Sequence, residues 1–222
     1  MKIQDIQFIL DAMPIDMKVH ANNTACLAFA MGRAINCSYN EINSLYFAGL
    51  LHEAGKLIIN DLLPFNNLSD ELARMSTRMK NKKHMLFTSE LIKTLIEKYP
   101  EDSPNDKGEL VGYMGVDAII MQTFENVDGT GEPNKIFAEE IDTLAKVLRI
   151  SLEYDNYRLN GLTHEFACKE LKMGSGIIFP SRIIMPFIKA IVVNGLHKEY
   201  ESENYFEIAG APDFELNLSY DE

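Results

Sequence analysis

Apolar residues recur roughly every three to four positions along most of this chain, and that period commits it to helices rather than strands. Residues 2–12 carry Ile3, Ile6, Phe8, Ile9 and Leu10 on it. Pro14 sits where a second helix can begin, because its missing N–H costs nothing in a first turn. That helix runs through Val19, Ala25, Leu27, Ala30 and Ile35 to about Asn36, and Ser38 or Asn40 caps a third over 40–56. Residues 57–68, broken by Asp61 and Pro64, read as a turn and loop, and Ser69-Asp70-Glu71 starts the next helix with acids at its positive end. Helical spacing continues over 82–98 and 107–124, separated by a loop at 101–106. Asn126-Val127-Asp128-Gly129-Thr130-Gly131-Glu132-Pro133 is the strongest loop signal, and further helices follow near 137–158, 163–173 and 181–197. Alternation over 205–208 and 214–218 fits a small β-hairpin. The expected fold class is all-α: an N-terminal helix in 1–13, a helical domain over 14–197 and an acidic tail over 198–222.

Stacking so many helices needs apolar surface, and 46% apolar residues in 222 supply it. The net charge is −12, of which eight charges come from the stretch Glu199 to Glu222, where no Lys or Arg offsets the acids. Such a chain is a poor nucleic-acid partner, since that binding needs basic surface to displace counterions. An anionic ligand would need a local positive centre, from a metal or a few lysines. No apolar run approaches the ~18 residues of a membrane span. The N-terminus lacks a charged-then-apolar leader, and Cys26, Cys37 and Cys168 have no CxxC spacing, so reduced thiols and a cytoplasmic location are expected.

Chemistry concentrates in Leu51-His52-Glu53-Ala54-Gly55-Lys56, where imidazole, carboxylate and ammonium fall within five positions. Imidazole and carboxylate bind divalent ions, and an ammonium steadies an anion. His52 and Glu53 diverge by about 100° on a helix, so both address one site only near a helix end, which Gly55 makes reasonable. Asp16 and His20 are four apart and share a helix face. Each also has a plainer reading: His52-Glu53 as a buried acid–histidine pair, Asp16-His20 as a salt-bridged pair, and Lys56 as neutralising Glu53. His164 and His197 read as surface or helix-end residues.

These residues resemble the HD superfamily of metal-dependent phosphohydrolases, specifically its HD-GYP branch. That branch has an isolated His, then an aliphatic-His-Asp-x-Gly-Lys motif about thirty residues on; here these are His20 and Leu51 to Lys56. His84 matches a further histidine opening the next long helix. The signature loop His-His-Glu-x-x-Asp-Gly-x-Gly-Tyr-Pro lies over Thr123 to Pro133, Ala145 to Asp155 is similar to the helix ending in Ala-Asp-x-Tyr-Asp, and Gly176 to Pro180 to the closing Gly-x-x-Phe-Asp-Pro. The resemblance covers about 14–192 and implies an HD-domain helical bundle, with hydrolysis of cyclic di-GMP at a two- or three-metal site.

The departures fall on the ligands. The motif aspartate is Glu53, the loop histidines are Thr123 and Phe124, the closing aspartate falls on Leu152 and the loop tyrosine is Glu132. What the resemblance leaves as metal ligands is His20, His52, Glu53, His84 and Asp16, with Lys56 as the catalytic cation, and Arg158 and Asp128 toward a ligand. The expected cofactor is one divalent transition metal ion (Fe, Mn, Ni or Zn) or none. The expected function is a degenerate HD-GYP-like protein without phosphodiesterase activity, a regulatory or partner-binding module in bacterial signalling. The alternatives are a single-metal phosphohydrolase acting on cyclic di-GMP or another nucleotide, and a non-hydrolysing cyclic-dinucleotide sensor. Expected partners are a signalling protein or a cyclic dinucleotide, with no nucleic acid and no membrane.

Overall fold

In the computed structural model, residues 3–59, 84–98 and 115–200 are described. Among them lie ten helices and no strand: α1 Ile3–Asp11, α2 Ile15–Ala34, α3 Tyr39–Leu51, α4 Ala54–Ile59, α5 His84–Lys98, α6 Val116–Gln122, α7 Thr143–Leu159, α8 His164–Met173, α9 Ser181–Val193 and α10 Leu196–Glu199. The helix expected at Ser69, the loop at 101–106 and the hairpin after 198 lie outside the described residues.

The bundle is built round α2. Every residue from His20 to Gly32 is buried, the polar His20, Asn22, Asn23 and Thr24 included, and the helix packs against α3, α7 and α9 at once. Its approach to α3 is governed by Gly49, where an added Cβ would lie 2.4 Å from Ala25 Cα. Only a hydrogen fits there. A capping box starts α3: Ser38 Oγ accepts from the Glu41 N–H at 3.3 Å, and Glu41 accepts from the Ser38 N–H at 2.7 Å. Helix α1 sends Ile6, Ile9 and Leu10 into the same core and leaves Phe8 outside.

The expected boundaries shift at five places, the first being the helix expected over 107–124, which begins at Val116 after Gly115 at φ 82° and ends at Gln122. The third helix stops at Leu51 instead of running to 56, and His52 and Glu53 form a turn before α4. Leu57 to Ile59, read as loop from Asp61 and Pro64, continue α4, because Leu57 and Ile58 are buried and the segment packs on α5. The helix expected from 137 starts at Thr143, where the Asp142 carboxylate accepts from the Leu144 N–H at 2.6 Å. Phe137 pairs instead with Asp128 in an isolated antiparallel bridge that folds the 126–133 loop back on itself. The helix expected over 181–197 is two, split where Gly195 takes φ 74°.

Candidate metal centre

The end of α3 decides the local geometry. Helix α3 stops at Leu51, His52 keeps right-handed helical angles (φ −57°, ψ −25°) in the turn into α4, and the side chains of His52 and Glu53 gather with His20 of α2. His20, His52 and Glu53 are 7%, 1% and 9% exposed, and one ligand atom from each lies within 4.8 Å of the other two. The imidazoles meet edge to face, centroids 5.0 Å apart, with the two Nε2 atoms at 3.2 Å.

The outer nitrogens explain that approach. His52 Nδ1 lies 2.7 Å from the Gly49 carbonyl, which can only accept, so Nδ1 carries the proton. His20 Nδ1 lies 2.5 Å from Asp155 Oδ2, and an ionised carboxylate imposes the same tautomer. With Nδ1 of His52 carrying the proton, its Nε2 turns a lone pair toward Nε2 of His20, an arrangement that calls for a cation or a proton between them. Burial, and next the neighbouring His20, push the His52 pKa down to about 3, which disfavours the proton on that ring. Two nitrogens bound tetrahedrally at ~2.1 Å would stand ~3.4 Å apart, close to the 3.2 Å here. The donor set fits a divalent ion held by His20 Nε2, His52 Nε2 and the Glu53 carboxylate.

Glu53 has a second tie. Lys56, one turn on, donates to Oε1. Burial raises the Glu53 pKa, but neighbouring His52 and the Lys56 hydrogen bond lower it, and the carboxyl lies below its ordinary range. With His52 neutral, Lys56 is the standing counter-charge.

The remaining sequence-derived residues disperse. Asp16 is exposed in the first turn of α2 and lies outside the His20–His52–Glu53 cluster. His84 opens α5 close enough for Lys56 and Glu53 to act on it; burial first, then Lys56, takes its pKa to about 4. Its Nε2 is buried without a hydrogen-bond partner, and its ring stands edge to face with Phe124 at 5.7 Å. Asp128 is half-buried and accepts from the Thr130 N–H and hydroxyl at 2.9 and 2.6 Å, which keeps its pKa low. Arg158 donates to the His197 carbonyl at 3.0 Å and stacks 4.5 Å over Tyr200. His164 and His197, read as surface or helix-end residues, are half-buried with rings 5.0 Å apart; His164 Nδ1 lies 2.8 Å from Tyr154 Oη.

Thr123, Phe124 and Leu152, where the resemblance expects ligands, are engaged elsewhere or apolar. Thr123 turns its hydroxyl onto the Ile119 carbonyl at 2.8 Å, the usual back-bond of a helix end. Phe124 lies under Arg149, whose Cζ is 4.8 Å from the ring centroid. Leu152 is 2% exposed.

Three contributors carried no assigned role in the sequence. Asp155 supplies the carboxylate behind His20, one turn beyond the Leu152 position where one was sought. Tyr200 donates to Asp155 Oδ1 at 2.5 Å. Arg149 is the third. A lone arginine inside Val147-Leu148-Arg149-Ile150, and an aspartate on a buried helical face, were the available signals.

An HD domain family profile matches residues 9–164. No curated protein matches the sequence. Among solved structures, the cyclic GMP-AMP-specific phosphodiesterase V-cGAP3 of V. cholerae aligns with a TM-score of 0.55 at 17% identity, covering 89% of this chain and 50% of that one. Bd1817, an HDG"Y"P protein from Bdellovibrio bacteriovorus, aligns with a TM-score of 0.52 at 20% identity, covering 86% of this chain and 58% of that one. The chain thus spans about half the length of these proteins, and at such identities the likeness is one of fold.

Proposed function

Since the chain belongs to the HD domain family, we propose that it is a regulatory module in bacterial signalling, holding at most one divalent ion and lacking phosphodiesterase activity. The observation that carries this reading is the Phe124–Arg149 pair beside His84. A second catalytic ion would have to sit against a half-buried guanidinium, with phenylalanine in place of a ligand. Coulomb repulsion between a divalent ion and a guanidinium is large wherever water is scarce. The module's partner is a signalling protein, and a cyclic dinucleotide is the small ligand that would engage it without being cut.

An ion at His20, His52 and Glu53 would supply Lewis-acid polarisation of an anionic group. The chain's own residues do the rest. Asp155 fixes the His20 tautomer, the Gly49 carbonyl fixes that of His52, and Lys56 holds Glu53 ionised while keeping positive charge at the mouth. That support for the surviving ligands favours one rival, a single-ion phosphohydrolase, because outer-shell partners are what a working site needs.

Two measurements on the purified chain separate these readings. Elemental analysis after purification from metal-replete medium should find no more than one transition-metal ion per chain, lost in His52→Ala. Hydrolysis of cyclic di-GMP and cyclic GMP-AMP with added Mn²⁺ or Fe²⁺ should stay at background. Two ions per chain with sustained turnover would overturn the proposal; one ion with turnover abolished by His52→Ala would select the rival. Calorimetry with cyclic di-GMP tests the sensor version, and no heat with or without metal would remove it.

A further inference from the structure

Helix α9 is apolar on two sides, and the core uses only one of them. Ile183, Ile184, Phe187 and Ile191 are buried in the core. Met185 and Val193, on another face of the helix, are 58% and 73% exposed. A surface helix ordinarily turns polar residues to water, so folding alone gives no reason for that second apolar row. The row borders a groove of about 780 Å³ between α9 and the end of α2. Small residues from both helices, Ala30 and Ala190, lie buried beneath it.

Two cations share the groove. Lys189 falls midway between Met185 and Val193, so all three line one face of α9. Arg33 stands on α2, its Cζ 5.9 Å from the Phe29 ring centroid. Both are exposed. No Asp or Glu is among the described residues that line the groove, although the chain carries a net charge of −12. A basic, apolar patch on so acidic a protein selects a negatively charged occupant.

The shape of that occupant follows from what the groove lacks. Among the described residues no strand edge borders it, so an extended segment has no ladder to join. No aromatic side chain is among its described lining, so a polyproline helix has nothing to stack on. An amphipathic helix needs neither; it lays an apolar face into a groove between two helices. A second copy of this chain is disfavoured, because a two-fold contact here would set Arg33 and Lys189 against a patch of the same sign.

We propose that the α2–α9 groove docks an acidic amphipathic helix of a partner protein, its apolar face over Ala30 and Ala190 and its carboxylates toward Arg33 and Lys189. This names the surface and the partner chemistry of the regulatory module inferred above, and it rests on that reading. The groove lies roughly 15–20 Å along α2 from His20, clear of the metal centre.

The test adds a synthetic amphipathic peptide, Leu along one face and Glu on its flanks, to the full chain isotope-labelled at its methionine methyls. The Met185 signal is identified by its loss in Met185→Leu. It should shift saturably below millimolar peptide. Lys189→Glu should weaken binding about fivefold. A peptide with Lys in place of Glu should reverse the preference and bind Lys189→Glu better than wild type. An unmoved Met185 signal, or equal affinity of wild type for both peptides, would overturn the proposal. So would a signal that moves with chain concentration alone and stops doing so in Val193→Asp, which gives the groove to a second copy. A shift produced by Phe214→Ser without peptide would overturn it in favour of the acidic tail. Met185 and Lys189 are exposed, so their substitution leaves the core intact. Metal content and turnover do not enter: a working phosphohydrolase would fail the functional reading, while the Met185 signal alone decides the groove.

Discussion

His52 carries two opposed requirements: it is buried almost completely, yet its Nε2 faces another imidazole's Nε2. Burial favours a neutral ring, and the Nε2 lone pair then favours an ion. In EDTA-treated protein this gives a definite pH response. The folded-state pKa values of His52 and His84, about 3 and about 4, lie below the ~6.5 of an unfolded histidine. Between those limits the unfolded chain binds more protons, so stability is full above pH ~6.5 and erodes as pH falls toward ~4. Each ring contributes on the order of 1–2 kcal/mol of that loss by pH ~5, and His84→Gln should flatten the slope in urea melts at graded pH. An unchanged slope would place the histidines in a more hydrated setting than the structure gives them. Asp155 is the second residue-scale case. Asp155→Asn keeps the size but no longer imposes the His20 tautomer, so metal affinity should fall about 10- to 100-fold by competitive chelator titration.

At the scale of elements, the site exists because helices cross closely and stop on time. Gly49 lets α3 lie against α2, bringing His52 within reach of His20. Gly49→Ala forces the two backbones apart and should cost about 3 kcal/mol in chemical denaturation, with metal lost alongside. Gly55 does the same for α4 against α5: a Cβ there would stand 2.0 Å from the His84 carbonyl oxygen. The Gly55 N–H donates to Thr88 Oγ1 at 2.7 Å, and that hydroxyl also lies 3.1 Å from the His52 carbonyl. One threonine thereby ties the turn carrying His52 to the helix carrying His84. The capping box at Ser38 acts more locally. Ser38→Ala should cost about 1 kcal/mol and leave metal content unchanged, which separates loss of helix stability from loss of the site.

For the whole molecule, the ion and the fold are linked by mass action. Ligands from α2 and from the turn after α3 meet only in the folded chain. Metal at a hundred times its dissociation constant should therefore raise unfolding free energy by about 2.7 kcal/mol. For a chain of this size that is a melting shift of roughly 5–10 °C, reversed by EDTA and absent in His52→Ala. No shift with Mn, Fe, Ni or Zn would leave the two histidines as a structural pair. The described helices share one core, which includes α1 and reaches α10 through Leu196. Tyr200, beyond α10, touches Asp155, so the start of the acidic stretch is itself part of the site's support.

The helical period determined the all-α class, because alternation on a pattern of three to four suits no other element, and it set the order of the described helices. The ordered motifs named the family and picked out His20, His52 and Glu53, which the fold brings together. Local residues also announced where α3 begins, through Ser38, one of the two caps the sequence offered. Where α3 ends was different: Gly55 marked the neighbourhood, while the break itself falls before His52, beside the contacts Thr88 of α5 makes with Gly55 and His52. Asp155 and Arg149 were invisible as site residues for a related reason. Each sits on α7, distant in sequence from α2 and from the 124–131 loop, and its partner is chosen by how helices cross, which no local pattern encodes. Asp16 shows the converse, since correct spacing from His20 put it on a neighbouring face that the fold turned to solvent. Sequence spacing fixes what one helix can present; the tertiary structure decides what that face meets.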